Sequence, residues 1–307
     1  MTRYGYFLSC EEYDPASLVR QAVLAEQAGF EALWISDHFH PWLDEQGHSP
    51  FVWSIIGAIS QVTSLPVTTA VTCPTTRIHP AVIAQAAATA SLLTGGKFTL
   101  GVGTGEALNE HITGAKWPAA AERRDMLEEA VTIIARLFTG EQLTHHGTHY
   151  QVDTARLYSV PDQPPPIYVS GFGEHSARLA AKIADGYICM GPQADLIKLY
   201  RDEGGGDRLV QGGIKGCWAP DENTRQGVCP RGCRRGRASP CTCAVAAREM
   251  RKSPCGGSAS KPSTPGHSAP PPARPAMTTR ARSRGCSARS RAGLTSLAAK
   301  RTIATTT

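Results

Sequence analysis

Short apolar, β-branched runs alternate with stretches of helical periodicity from the start of the chain, the pattern of βα units laid on a parallel sheet. In the first unit Tyr4–Leu8 reads as a strand. Asp14 and Pro15 then stand where a helix takes its N-cap and first residue, Leu18, Val19, Ala22, Val23 and Ala25 recur at helical spacing, and Gly29 ends the helix. Ala32–Ser36 is the second predicted strand. Val67–Thr72 is the third, followed by a helix around Ala81–Leu92. Phe98–Val102 is the fourth, and the helix after it gathers Met126, Leu127, Ala130, Ile134, Leu137 and Phe138 on one face before Gly140.

Past Gly140 the pattern changes to a hairpin insertion, Leu143–Val152, rich in histidine and turned near Gly147. Pro164–Pro166 launches a fifth strand at Ile167–Val169. A helix over Ser176–Ala184, a strand over Gly186–Met190, a helix over Ala194–Arg201 and a strand over Leu209–Cys217 follow. These make seven strands of a (β/α)8 barrel, and the eighth falls where the pattern is lost, so the barrel is expected to be incomplete at its carboxyl end. An open doubly wound sheet is the alternative, suggested by Gly101-x-Gly103-x-Gly105 after a strand. A dinucleotide fingerprint belongs on the first strand, however, and this one follows the fourth.

Composition locates the loss of pattern at about Thr224. From Asn223 onward the chain holds 17 of its 32 basic residues but only one of its 26 acidic ones, Glu249, so a net charge of −10 before the break becomes +16 after it. The same stretch has no Phe, Trp or Tyr and six of the ten cysteines. Such a segment cannot bury enough apolar surface to offset its ordering entropy. The chain therefore divides into a domain over residues 1–224 and a basic, low-complexity tail over 225–307. The tail reads either as a disordered arm for nucleic acid or as a GC-rich gene translated out of frame from about Gln226, and the second fits every compositional feature at once. Cys229, Cys233, Cys241 and Cys243 lack the paired C-x2-C spacing of structural zinc. In the first domain Cys10, Cys73, Cys189 and Cys217 are scattered as in a reduced cytoplasmic protein, and neither a secretory leader nor a membrane-spanning run is expected. Without an eighth strand, strands one and seven are expected to keep unpaired edges and the chain to fold poorly.

In a barrel the chemistry lies at the carboxyl ends of the strands. After strand two stands Ser36-Asp37-His38-Phe39-His40-Pro41-Trp42. After strand three stands Ala70-Val71-Thr72-Cys73-Pro74, after strand four Gly103-Thr104-Gly105-Glu106-Ala107-Leu108-Asn109-Glu110, and after strand five Ser170-Gly171-Phe172-Gly173. Singly these have bland readings. His38 suits a satisfied core histidine or, with His40, a metal ligand; Trp42 suits core filler; Glu106 suits a charge at a helix start. His145, His146 and His149 suit a solvated loop. Together they suit two-electron transfer: an imidazole takes a hydroxyl proton as hydride leaves carbon, a carboxyl group serves the reduced ring, and an aromatic face stabilises positive charge.

The Ser36–Trp42 and Gly101–Glu110 runs closely resemble the luciferase-like, F420-dependent oxidoreductases of the glucose-6-phosphate dehydrogenase group, over Tyr4 to about Thr224. The resemblance implies a TIM barrel with an insertion, a homodimer, coenzyme F420 at the carboxyl rim and an alcohol or carbonyl substrate. By position it makes His38 the base, Glu106 the acid and Trp42 the stabiliser of the transition state. It makes Asp37, Val71, Cys73, Thr104, Asn109 and the turn Ser170, Gly171, Phe172, Gly173 coenzyme contacts, with Ala70–Val71 a non-prolyl cis peptide. The resemblance also implies a lysine after Cys189 for sugar phosphate, where this chain has Met190-Gly191-Pro192-Gln193. The alternative is a truncated, inactive barrel or a binding protein with a basic arm.

Overall fold

In the computed structural model the described residues are 2–191, 193–216 and 300–306. Seven parallel strands form the wall of a barrel: β1 (Arg3–Leu8), β2 (Ala32–Ile35), β3 (Val67–Thr69), β4 (Phe98–Val102), β7 (Ile167–Ser170), β8 (Gly186–Cys189) and β9 (Val210–Gly216). Helices α1 (Pro15–Gln27), α2 (Val52–Ile59), α3 (Pro80–Leu93), α5 (Ala120–Leu137), α6 (Glu174–Ile183) and α7 (Ala194–Tyr200) alternate with them. A short α4 (Ala107–Glu110) follows β4, and β5 (Leu143–His146) with β6 (Gln151–Ala155) makes the expected hairpin apart from the wall.

The period of two along each strand sorts side chains between two cores. Leu8, Leu33, Ile35, Leu100, Val102 and Val169 point outward against the helices. Phe7, Trp34, Tyr168 and Ile188 point into the barrel. There Trp34 Nε1 donates to Gln211 Oε1 at 2.5 Å, which satisfies the indole without water. Local chemistry starts the helices where expected: Asp14 Oδ1 accepts from Ser17 N at 3.0 Å, with Pro15 at the first position of α1. Helix α2 was not legible, because Val52–Ile59 is apolar nearly throughout and such a run has no period that tells helix from strand. Its buried Val52, Ile55, Ile56 and Ile59 show the helical spacing only once packing selects a face.

The expectation of open edges on the first and seventh barrel strands is corrected. β10 (Lys300–Thr306) lies antiparallel between β1 and β9, with Gly5 opposite Ile303 and Ile214 opposite Thr302, and closes the sheet. The physical reason is that two exposed rows of backbone donors and acceptors accept any strand-forming segment, and Thr302, Ile303, Thr305 and Thr306 supply the β-branched residues for one. It fills the eighth place with reversed direction, so no eighth parallel βα unit stands among the described residues. Most of the expected basic tail, residues 217–299 with its cysteines, lies outside the described residues.

The glycines of β4 have a steric reason. A Cβ at Gly101 would sit 1.9 Å from the Thr69 carbonyl oxygen and 2.7 Å from Ile188 Cδ1, one at Gly103 would sit 2.8 Å from Val71 Cγ2, and one at Gly105 would sit 2.3 Å from Cys73 Sγ. Gly101, Gly103 and Gly105 thus face Thr69, Val71 and Cys73 position by position, in step with the two-residue period of both segments. This is the contact that the G-x-G-x-G spacing serves, and it is unlike a phosphate loop. At a φ that any residue adopts, Gly→Ala ordinarily stabilises by about 0.4–1 kcal/mol through the unfolded chain. Gly101→Ala is expected to reverse that sign and destabilise by about 1–3 kcal/mol through overpacking, read from the denaturant midpoint. A neutral or stabilising result counts against the close packing of β4 on β3.

Candidate active site

The carboxyl ends of β1 to β4 bring together residues far apart in sequence. His38 leaves β2 with its Nδ1 3.3 Å from the His40 carbonyl oxygen. Its Nε2 lies 3.4 Å from Glu11 Oε1 and 4.0 Å from Glu106 Oε2. The Trp42 ring stands 5.2 Å from the imidazole, centroid to centroid, and is half exposed, so the core-filler reading fails for it. Glu11 is buried, and its Oε2 accepts from Ser36 Oγ at 2.5 Å and Ser9 Oγ at 3.0 Å. The fixed hydroxyl donors hold this carboxylate against the imidazole.

Glu11 was missed by sequence reasoning. It follows β1, whose carboxyl end held no motif, and its role shows only through contact with His38. The expectation that strand ends carry chemistry applied to β1 equally and would have found it.

Glu106 caps the start of α4, and its Oε2 is buried without a hydrogen-bond partner among the described residues. Burial pushes its carboxyl up from the usual range, the charge of Glu11 adds to this, and His38 opposes it. A carboxyl group so placed keeps its proton more readily than a solvated one.

The remaining predicted residues surround this pair. Asn109 Oδ1 accepts from the backbone of Phe39 at 2.9 Å and His40 at 3.1 Å, tying the β4 loop to the β2 loop. Asp37 is buried and committed elsewhere: it accepts from Thr72 Oγ1 at 2.8 Å and from Arg77 Nη2 at 2.9 Å. Ala70–Val71 is the non-prolyl cis peptide expected there. Cys73 Sγ lies 3.0 Å from Thr75 Oγ1, and burial, with the charge of Glu110, pushes its thiol up to about 12. Thr104 sits half-buried between Gly103 and Gly105. Across the barrel mouth Ser170 ends β7, Gly171 is buried, Phe172 is exposed and Gly173 caps α6. The Tyr187 hydroxyl donates to the Gly171 carbonyl at 2.7 Å, which fixes this turn.

The solvated-loop reading of the hairpin histidines is corrected in part. His145 Nε2 pairs with Glu129 Oε1 at 3.0 Å, and the same carboxylate accepts from the backbone of His149 and Tyr150, each at 3.0 Å. The Tyr150 hydroxyl then donates to the Pro74 and Thr75 carbonyls at 3.2 and 2.9 Å. The hairpin therefore braces the β3 loop. No cluster of metal-ligating side chains stands among the described residues.

The luciferase-like monooxygenase family model matches residues 2–203. This chain belongs to that family. Among its relatives, an F420-dependent glucose-6-phosphate dehydrogenase of Microbacterium testaceum (strain StLB037) is 46% identical over 187 residues, which cover 61% of this chain and 56% of the relative. An F420-dependent hydroxymycolic acid dehydrogenase of Mycobacterium tuberculosis (strain ATCC 25618 / H37Rv) is 41% identical over 196 residues, covering 64% and 54%. A solved F420-dependent secondary alcohol dehydrogenase in complex with an F420-acetone adduct superposes with a TM-score of 0.64 at 33% identity, covering 70% of this chain and 68% of that one. The chain spans a little over half the length of these two curated relatives. No helix among the described residues is long and apolar enough to cross a membrane.

A half-buried carboxyl pushed up, as that of Glu106 is, binds its proton more tightly in the folded than in the unfolded chain, so it costs stability once pH rises past its unfolded value. Glu106→Gln is therefore expected to raise Tm at pH 7, with the gain shrinking toward zero as pH falls below about 4, where both side chains are neutral. Thermal melts across that range check it, and a gain that is constant with pH sinks the electrostatic account.

Proposed function

We propose that the chain is a coenzyme F420-dependent oxidoreductase that transfers a hydride between the carbinol or carbonyl carbon of a small molecule and the deazaflavin. The observation that carries this is His38 set between Glu11 and Glu106 beside Trp42, on the active rim of a barrel whose relatives are named for such chemistry. The residues present fit the coenzyme. Val71 and Cys73 pack against Gly103 and Gly105 in the β3 and β4 loops, Thr104 and Asn109 stand in the same β4 loop, and Glu106 Oε2 is a buried polar atom without a hydrogen-bond partner among the described residues. Asp37 supports the β3 loop through Thr72 and Arg77, and the Ser170–Gly173 turn offers backbone N–H groups at the start of α6 to a phosphate.

When bound, the deazaflavin supplies the hydride acceptor or donor. With His38 Nδ1 donating to the His40 carbonyl, Nε2 is the free acceptor for the substrate hydroxyl proton. The Glu11 carboxylate stabilises the imidazolium that results, since opposite charges in a buried site attract strongly. Glu106 holds a proton at its buried oxygen for delivery beside the ring. The exposed Trp42 face stabilises positive charge developing at the carbinol carbon. Sugar phosphate is one substrate option only, because the run after Cys189, Met190-Gly191-Pro192-Gln193, lacks the lysine that the resemblance implies there.

The proposal extends to a cytoplasmic homodimer and to a tail translated out of frame. Between α2 and α3 lies an apolar groove of about 290 Å3, lined by Phe51, Trp53, Ile56, Val82 and Leu93, and sedimentation of the purified chain reads the oligomeric state. Sequencing the gene across the codons for Ala219–Cys229 is expected to reveal another frame that continues through a parallel eighth βα unit. Confirmation of the present frame refutes the frameshift.

His38→Ala is expected to lower turnover of alcohol by about 10²–10⁴-fold while F420 binding, followed by fluorescence, is retained. Loss of binding with turnover per bound coenzyme unchanged contradicts the base assignment. A wild-type chain that binds no F420 contradicts the function itself.

A further inference from the structure

The loops that carry His38 and Glu106 share one buried cation. Arg77 stands six residues beyond Val71 of the Ala70–Val71 peptide, and its side chain is 6% exposed against carboxylates of Asp37 and Glu110 that are each 1% exposed. Its Nη2 donates to Asp37 Oδ1 at 2.9 Å, its backbone N–H donates to Glu110 Oε2 at 2.7 Å, and its Nε faces Glu110 Oε1 at 3.5 Å. Asp37 also accepts from Thr72. Asp37 immediately precedes His38. Glu110 lies one helical turn from Glu106, with its N–H donating to the Glu106 carbonyl at 3.1 Å. The guanidinium thus joins the β2, β3 and β4 loops through contacts adjacent to each member of the His38–Glu106 pair and touches neither. Its planar fork is what permits this, since it serves two carboxylates in different directions at once.

We propose that Arg77 is a positioning residue for the reaction: it sets the separation of His38 and Glu106 from beneath the site, without contact to substrate or coenzyme. This rests on the oxidoreductase function proposed above. Displacement of reacting groups by about 1 Å lowers turnover on the order of 10²-fold even when its cause lies outside the reacting centre. Lysine keeps the charge but is a single point on a flexible stem and cannot hold both carboxylates in register.

The test is Arg77→Lys in the full chain, with Arg77→Met as a second variant. Folded fraction and Tm are measured first, then F420 binding by fluorescence, kcat and KM per folded protein, and the pH profile of kcat. The His38 ring and Trp42 indole resonances are followed by NMR without coenzyme. The expected result for Arg77→Lys is a folded protein with F420 affinity near wild type, kcat lowered at least about ten-fold, a displaced limb of the pH profile and shifted His38 and Trp42 resonances. Unchanged kcat per folded molecule with an unchanged pH profile overturns the inference, as does loss of activity that merely follows loss of folded protein. If Arg77→Lys does not fold, Arg77→Met supplies the same readouts. If the wild-type chain shows no F420 chemistry, the function proposal fails, and the resonances still decide: shifted in the variant, they support the clamp; unmoved, they overturn it.

Discussion

β4 and the loop after it present glycine at three positions to the end of β3 and its loop, and the site is built on that close approach. Gly101, Gly103 and Gly105 admit Thr69, Val71 and Cys73 at distances that any Cβ would forbid. Parallel strands in a barrel already share a direction, so their carboxyl ends meet at one rim. The glycines bring two of those ends near enough for the α4 loop to reach over the β3 loop toward β2. Asn109 then holds the backbone of Phe39 and His40, and Glu106 comes within 4.0 Å of His38. A side chain at any of the three positions would run into Thr69, Val71 or Cys73.

The charges assembled there set the chemistry. Glu11, Asp37, Glu106 and Glu110 meet at the ends of three strands, against one guanidinium and one imidazole. Buried carboxylates are tolerated only when paired or hydrogen-bonded. Glu11 has two hydroxyl donors, Asp37 has Thr72 and Arg77, and Glu110 has the Arg77 backbone and side chain. Glu106 alone of the four lacks a hydrogen-bond donor among the described residues, and burial pushes it up as it does Glu110. The least satisfied carboxyl thus stands beside the imidazole, and environment rather than residue type distinguishes it from the hydrogen-bonded carboxylates.

The strands were legible because they read as short β-branched runs with clear ends, and Phe98–Val102 is predicted and found with the same bounds. The third was read three residues too long, since the regular ladder ends at Thr69 and only an isolated bridge from Thr72 to Val102 follows it. That His38, Trp42, Glu106 and Asn109 would meet at one rim was legible because they follow strands in a barrel. Glu11 and Arg77 were not, since each lies outside any motif and acts through a partner from another loop. The antiparallel closure by Lys300–Thr306 was equally hidden, because strand direction and partner depend on which backbone edges remain open.

By itself the sequence determined the alternation of strands and helices, the rim on which chemistry collects and the compositional break near Thr224. These follow from periodicity, turn chemistry and local charge, which act over a few residues and are written in order along the chain. Only the tertiary structure decided that Glu11 faces His38, that Arg77 joins three loops and that the glycines of β4 are contact points. Each of these depends on residues tens of positions apart meeting within a few ångströms, and the closing of the barrel brings them there.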